Sequence, residues 1–236
     1  RSMQGLEQVQ WYSLESLKPQ IQPAQEWDHT FLETLRTATE RRLRSDAPVG
    51  AFLSGGLDSS SVVAQMAALT ERPVQAFVIG FDDPRYDETA YARAAASRFG
   101  AQLMAQTMQP DLLDAWRDAI YYCDQPHGDI SFLPTWQVSR FAGESVKVVL
   151  TGDGGDELFG GYSKYQKFFE QSQTVWKTND AFLQAYWPSM TLFSDAEKRR
   201  LFAPTLRAVV DDMPSQQVIA SLLARFPNQD RINQAL

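Results

Sequence analysis

The chain has 236 residues, of which 44% are hydrophobic and 22% charged, a balance typical of a folded globular protein and not of a disordered or fibrous one. Its 22 lysines and arginines against 29 aspartates and glutamates give a formal net charge of -7, which disfavours a nucleic-acid partner. The single cysteine, Cys123, excludes an internal disulfide and a multi-thiolate metal site. No uncharged apolar stretch approaches the ~20 residues of a membrane span, so we expect a cytoplasmic protein without a membrane partner.

In chain order, the predicted elements begin after an irregular lead-in at residues 1–28. A capping box at Thr30 and Glu33 predicts that the first helix begins there and continues to residue 45, and Pro48 bars its extension. A short apolar strand at 49–53 then leads into a glycine turn and a helix. The remaining predictions are strands at 74–81, 102–107 and 146–150, and helices at 88–99, 112–122 and 136–143.

The alternation of strands and helices predicts an α/β fold with a doubly wound, mostly parallel sheet flanked by helices. We expect this core to occupy residues 29–165. Beyond it the pattern turns helical, so residues 166–236 are predicted to form a helical appendage. Residues 230–236 have the pattern of a helix that stops without a stop signal, so we expect a chain shortened at its C-terminal end.

The first glycine turn, SGGLDSS at residues 54–60, has the composition of a phosphate site. Its glycines let the backbone approach a ligand, and its hydroxyls and the following helix N-terminus favour an anion. It lacks the lysine of a Walker A loop and has Asp58 instead, so a phosphate ligand there requires a bridging cation. Magnesium held by Asp58 and by Asp156, in the second loop, meets that requirement.

The second glycine-rich loop, TGDGGDE at residues 151–157, directly follows the strand predicted at 146–150. Both loops therefore lie at the carboxyl ends of predicted parallel strands. Ligands of open α/β sheets bind at this edge. An isolated glycine pair is usually only a tight turn, but two clusters with acids and hydroxyls at one edge favour a nucleotide site.

The first loop resembles the pyrophosphate loop of the ATP pyrophosphatases, and TGDGGDELFGGY at residues 151–162 resembles the second signature of the asparagine synthetase branch. The resemblance covers residues 31–165, including segments 77–81 and 86–88. It implies an adenine nucleotide alpha-hydrolase-like fold and the synthetase domain of an asparagine synthetase. Such a domain adenylates a carboxylate with ATP, releases pyrophosphate and transfers ammonia to form an amide, with the aspartate side chain as the expected substrate.

The resemblance also implies the cofactors and the roles of individual residues. ATP and Mg²⁺ are expected, with Asp58 and Asp156 as the metal ligands. Asp153 stands where asparagine synthetases have a longer glutamate, and it is the expected catalytic base that takes a proton from ammonia. The residues expected to contact the nucleotide are Leu53, Ser54, Gly55, Gly56, Asp58, Ser59, Ser60, Ile79 and Gly152.

Two departures from the family pattern concern activity. The chain has no glutaminase domain with a first-residue cysteine, so ammonia from glutamine would have to come from a domain absent here. The family's lysine beyond the helical tail is also not reached, and we expect weak or no turnover from this fragment. The tail aromatics Trp176, Trp187 and Phe193 are expected to be core residues, and any of them left exposed because covering segments are missing would favour aggregation or a homodimer.

Several alternatives stay open at the level of sequence. A ring-closing amide synthetase of the β-lactam synthetase or lasso-peptide cyclase type would use the same chemistry, and the segment 125–135, which shapes the acceptor pocket, does not decide between them. A nucleotide-binding module without catalysis also fits. A tRNA-modifying enzyme is disfavoured by the acidic charge and the lack of paired cysteines. His127 suits either an acceptor contact or a turn, and Cys123 is interpreted as a small buried hydrophobe.

Overall fold

A computed structural model describes residues 9–13, 23–108, 112–125, 127–129, 131–172 and 179–224. This part of the chain separates after residue 153 into two compact units. No helix within these ranges is long and apolar enough to cross a bilayer. The strands are β1 Val49–Phe52, β2 Gln75–Gly80, β3 Gln102–Thr107 and β4 Val148–Leu150. The helices of the first unit are α1 Ala24–Arg42, α2 Leu57–Leu69, α3 Thr89–Phe99, α4 Leu112–Cys123 and α5 Phe132–Gly143.

The four strands form one parallel sheet in the order β3-β2-β1-β4. In the register of this sheet, Ala51 pairs with Ala76 on one side and with Leu150 on the other. The chain therefore moves outward from β1 through β2 to β3 and returns to add β4 on the opposite side. The predicted doubly wound parallel sheet is confirmed, and its topological switch point lies between β1 and β4.

Helices cover both faces of the sheet because alternate residues of β2 point to opposite sides. Ala76 and Val78 pack in a cluster with Val63 of α2 and Ala92 of α3. Phe77 belongs to the other cluster, formed with residues of α5 and β4. A third cluster joins α4 to α5, and the half-buried thiol of Cys123 packs against it as a hydrophobic group would.

Two helices begin earlier than their sequence patterns predict. The first helix begins at Ala24, directly after Pro23, and Thr30 lies inside it, where its carbonyl accepts the hydroxyl of Thr34 at 2.7 Å. The predicted capping box at Thr30 is therefore wrong: Pro23 sets the start, because proline needs no N–H there and residues 24–29 continue the helix without a break. Helix α5 likewise begins at Phe132, whose side chain is buried in the α4–α5 cluster.

The second unit is helical, as the sequence pattern predicts. Its core contains Phe168, Phe182 and Leu183, and the last two come from one helix. Phe193 is half-exposed, and Trp176 lies outside the described residues. The helices of this unit are α6 Gly155–Phe159, α7 Ser163–Ser172, α8 Asn179–Met190, α9 Asp195–Leu201, α10 Pro204–Asp212 and α11 Ser215–Ala224.

Candidate functional site

The first glycine loop leaves the sheet directly after β1. Leu53 is buried, and its N–H donates to the carbonyl oxygen of Phe77 at 2.9 Å, so the β1–β2 ladder extends to the edge of the loop. Gly55 then turns the chain at φ +85°, a conformation that glycine adopts without strain. Gly56 is the N-cap of α2, with no side chain to block the approach of a ligand.

Two hydroxyls of this loop close it internally. The Oγ atoms of Ser54 and Ser59 are 3.0 Å apart, and the N–H of Gly56 donates to the Ser54 Oγ at 3.2 Å. The N–H groups of the first turn of α2, at Leu57 and Asp58, have no acceptor within the helix. These amides are donors that the folded loop leaves available for an anion.

Helix α3 supports the first loop from behind. A Cβ placed on Gly55 would lie 2.5 Å from the backbone N of Ala92, and it would also overlap the backbone of Tyr91. The loop therefore rests directly on the helix backbone. Since no residue larger than glycine fits at position 55, the position of α3 fixes the position of the loop.

Asp87 fixes the start of α3 against the end of β2. Its Oδ1 accepts the hydroxyl of Thr89 at 2.6 Å and the N–H groups of Thr89 and Phe81 at 3.2 and 3.4 Å. These bonds, led by the Thr89 hydroxyl, hold the pKa of the Asp87 carboxyl below its usual range. Gly80 lies beneath, where a Cβ would be 2.9 Å from the same oxygen. Ile79, a predicted nucleotide contact, is the residue before this junction.

The start of the second glycine loop, at residues 151–153, lies in the same unit as the first loop and packs against it. A Cβ on Gly152 would lie 2.6 Å from the backbone N of Ser59 and 2.9 Å from the Cβ of Asp58. The two loops thus meet at the N-terminus of α2, beside the topological switch point of the sheet. Parallel α/β sheets bind ligands at this location.

Thr151 holds the carboxylate of Asp153, the predicted catalytic base. The Thr151 hydroxyl donates to Oδ2 of Asp153 at 2.9 Å, and the Asp153 N–H donates back to that hydroxyl at 3.4 Å. Asp153 is exposed. The carboxylate is therefore oriented while its second oxygen stays accessible to a small molecule.

The predicted metal ligands lie on different units. Asp58 is half-buried in the first turn of α2, and Asp156 is half-buried in α6. Among the described residues no group of three or more histidine, cysteine or acidic side chains forms a metal cluster. Carboxylate oxygens with phosphate oxygens are nevertheless a donor set that Mg²⁺ accepts. Near Asp58, the Oγ of Ser60 is buried and has no hydrogen-bond partner among the described residues. A polar ligand that bonds this oxygen would offset the free-energy cost of burying it unpaired.

The segment 125–135, which is predicted from the sequence to shape an acceptor pocket, is only partly described. His127 is exposed, its ring lies 5.3 Å from that of Phe132, and its Nδ1 accepts the N–H of Asp129 at 3.2 Å. The sequence allows His127 either an acceptor contact or a role in forming a turn, and these contacts indicate the turn. A surface pocket of about 500 Å³ lies on the neighbouring helices, lined by Asp118, Tyr122, Trp136, Ser139 and Arg140.

Sequence reasoning assigned no role to Tyr91, Asp87 or Thr151. Tyr91 contributes only its backbone, for which a sequence has no signal. Asp87 precedes Thr89 by two residues at a helix start, a spacing typical of an Asx turn, and Thr151 has the same spacing from Asp153. The spacing alone would have suggested the two local hydrogen bonds but not their position beside the loops.

Comparison with known proteins identifies similar sequences. The asparagine synthase family model matches residues 30–236. A Methanocaldococcus jannaschii protein named for asparagine synthetase is 45% identical over 133 residues, which are 54% of this chain and 25% of that protein. Asparagine synthetase [glutamine-hydrolyzing] 1 of Bacillus subtilis is 31% identical over 155 residues, 64% of this chain and 24% of its own length. The chain thus spans about a quarter of these relatives.

Among solved structures, the NH3-dependent NAD synthetase of Campylobacter jejuni aligns with a TM-score of 0.42 and 14% identity, over 81% of this chain and 95% of that one. The assignment of the fold rests on the strand order and the helices described above. The sheet is parallel, helices cover both of its faces, and the direction in which strands are added reverses at β1.

Proposed function

Because the chain belongs to the asparagine synthase family, we propose that it is an ATP-dependent amide-forming synthetase domain. The substrate is a carboxylate, with the aspartate side chain as the first candidate, and ammonia is the nitrogen donor. The observation that carries the proposal is the contact of Gly152 with the Asp58–Ser59 peptide, which joins both loops at one ligand-binding edge. We further propose that ammonia comes from a glutaminase domain and that the protein acts in the cytoplasm, where a lone thiol stays reduced.

The chemistry that this edge would support has two steps. A carboxylate oxygen of the substrate attacks the α-phosphorus of ATP, and the bond to the bridging oxygen breaks as pyrophosphate leaves. The free amides at the start of α2 would stabilise the charge that grows on the leaving group. In the second step ammonia attacks the acyl carbon, AMP leaves with the bonding pair, and Asp153 takes the proton that the nitrogen loses.

Each predicted site residue has a place in this scheme. Asp58 and Asp156 would hold Mg²⁺, which neutralises phosphate charge when bound, and this pairing is supported by the resemblance and by their carboxylate chemistry. The backbone groups of Leu53, Ile79 and Gly152 would receive adenine and ribose. The residues proposed for the pyrophosphate are Ser54, Gly55, Gly56, Ser59 and Ser60.

Calorimetric titration with ATP, in the presence and absence of Mg²⁺, tests the nucleotide site. We expect Asp58→Asn and Asp156→Asn each to weaken magnesium-dependent binding by about tenfold or more, the scale of losing a metal contact. Asp46→Asn and Asp212→Asn are controls, because both aspartates are exposed, Asp46 precedes β1 at the amino edge of the sheet, and Asp212 lies in α10. Wild-type affinity in both loop variants would refute the metal assignment.

Pyrophosphate release tests the reaction class. The chain, with and without aspartate and ammonia, is compared with the same chain carrying Asp153→Asn. Aspartate-dependent release with asparagine as product supports the proposal. Release that depends on a different, amine-bearing carboxylate supports the ring-closing alternative. ATP binding without release for any carboxylate, both in this chain and in a longer chain that includes the family's downstream lysine, supports a binding module.

A further inference from the structure

The turn that follows α6 in the second unit places two adjacent acids against two adjacent residues. Asp156 and Glu157 lie in the helix, and Gly161 and Tyr162 lie just beyond it. The carboxylate of Asp156 lies on Gly161, and that of Glu157 is bonded to Tyr162. We define these four residues as the acidic turn.

Position 161 is restricted to glycine by lack of space. An added Cβ would overlap the Oδ1 of Asp156 and would lie 3.1 Å from its Cγ. The backbone of Gly161 is not in the left-handed region, unlike that of Gly160 at φ +65°. A side chain at 161 would therefore require the Asp156 carboxylate to move, whereas the backbone conformation does not oppose it. The Gly161 N–H also donates to the Asp156 carbonyl at 3.0 Å, which fixes the two residues relative to each other.

In the second half of the acidic turn, Tyr162 binds the carboxylate of Glu157. The Tyr162 hydroxyl donates to Oε1 of Glu157 at 2.6 Å, and Lys164 Nζ lies 4.6 Å from the centre of the Tyr162 ring. This bond holds the pKa of Glu157 below its usual range and raises the pKa of Tyr162 to about 12. Within the described residues no hydrogen bond or ion pair engages the side chain of Asp156. One acid of the pair is thus used by the fold, and the other is held in place but left open.

We propose that Gly161 is a positioning residue for Asp156, which rests on the proposed role of Asp156 in holding Mg²⁺. Because Gly161 has no side chain, the Asp156 carboxylate occupies the space beside it. The Glu157–Tyr162 hydrogen bond holds the turn in this conformation. A Cβ at 161 would push the carboxylate to another rotamer. The metal affinity would then fall although the ligand itself is unchanged.

A double-mutant cycle with Mg²⁺ and ATP as the probes tests this inference. The proteins are wild type, Asp156→Asn, Gly161→Ala and the double variant, with Gly143→Ala as control because a Cβ there meets nothing within 4 Å. We expect Gly161→Ala to reduce magnesium-dependent ATP affinity about tenfold, to leave magnesium-free ATP binding unchanged, and to add nothing in the Asp156→Asn background. Thermal unfolding of all variants measures any general destabilisation separately.

The outcomes distinguish the inference from the function on which it rests. Wild-type metal dependence in Asp156→Asn overturns the role of Asp156 itself. Loss in Asp156→Asn with none in Gly161→Ala overturns the positioning role alone, and so does a Gly161→Ala effect that persists in full in the double variant. If Gly161→Ala does not fold, Tyr162→Phe opens the turn without added volume, and an unchanged magnesium affinity in that variant also overturns the inference.

Discussion

Gly55, Gly152 and Gly161 are each restricted to glycine by a different neighbour. Gly55 has a left-handed backbone and rests on α3, Gly152 lies on the Asp58–Ser59 peptide, and Gly161 lies under a carboxylate. Glycine in a loop is visible in the sequence, and it predicts that something approaches closely. At Gly55 and Gly152 the group that approaches comes from a distant part of the chain, whereas at Gly161 it is a side chain five residues earlier.

Gly152→Ala is expected to separate the two loops. Its Cβ would lie 2.6 Å from the Ser59 N, and relieving such an overlap typically costs about 1–3 kcal/mol. We predict a lower melting temperature together with weaker ATP binding in calorimetric titration. Gly143→Ala adds the same methyl group in open space and should change neither. Equal stability and affinity of Gly152→Ala and wild type would contradict the contact.

The Tyr162 hydroxyl is expected to titrate later than an ordinary phenol. Its bond to Glu157 raises its pKa from 10.0 to about 12, so this bond stabilises the folded protein below pH 10 and the contribution is lost as the pH rises through 12. Phenolate absorbance measured against pH should show a late step to which Tyr162 and Tyr186 both contribute, because burial raises the pKa of Tyr186 as well. Glu157→Ala should move the Tyr162 part of this step toward lower pH, and Tyr162→Phe should reduce its amplitude by one tyrosine. A late step of unchanged amplitude in Tyr162→Phe would rule out this assignment.

At the scale of elements, helix α3 links the end of β2 to the first loop. Asp87 accepts hydrogen bonds from its first residue, Thr89, and Gly55 rests on its first turn at Tyr91 and Ala92. Moving the start of α3 would therefore move the support under the loop. Asp87 therefore helps to position the first loop, although no ligand contact is proposed for it.

Asp87→Ala should destabilise the chain at neutral pH more than in acid. The folded pKa of Asp87 is lowered, so its contribution is present above the unfolded value of about 3.9 and is lost as the pH falls toward the folded pKa. Urea unfolding at pH 7 and near pH 3 measures this difference. The midpoints of wild type and Asp87→Ala should converge in acid, and a constant gap would contradict the assigned bonds.

At the scale of the whole molecule, the two units separate after residue 153, within the second signature. The nucleotide edge described above belongs to the first unit, and the acidic turn belongs to the second. A ligand that binds both loops would stabilise the first unit by about 2.7 kcal/mol at a concentration 100 times its dissociation constant.

Amide hydrogen exchange with and without MgATP should locate this stabilisation. We expect stronger protection in residues 53–60 and 151–153 than in α9 to α11 of the second unit. In Asp58→Asn the protection at the loops should largely disappear at the same ligand concentration. Uniform protection along the chain, or none at the two loops, would argue against the proposed site.

The sequence by itself determined the alternation of strands and helices, and with it the parallel sheet, because these follow from local periodicity. It also determined the two loops with their acids, because clustered glycines, hydroxyls and carboxylates at strand ends are typical of a ligand site. Helix starts depend on more than one local signal: a capping box at Thr30 is compatible with a start there, but the helix begins at Ala24, directly after Pro23. Only the tertiary structure decided that Gly152 meets α2, that Asp87 supports the first loop through α3, and that Asp156 lies on Gly161. Such contacts depend on backbone positions to within a few tenths of an ångström, which the fold sets and a residue pattern does not.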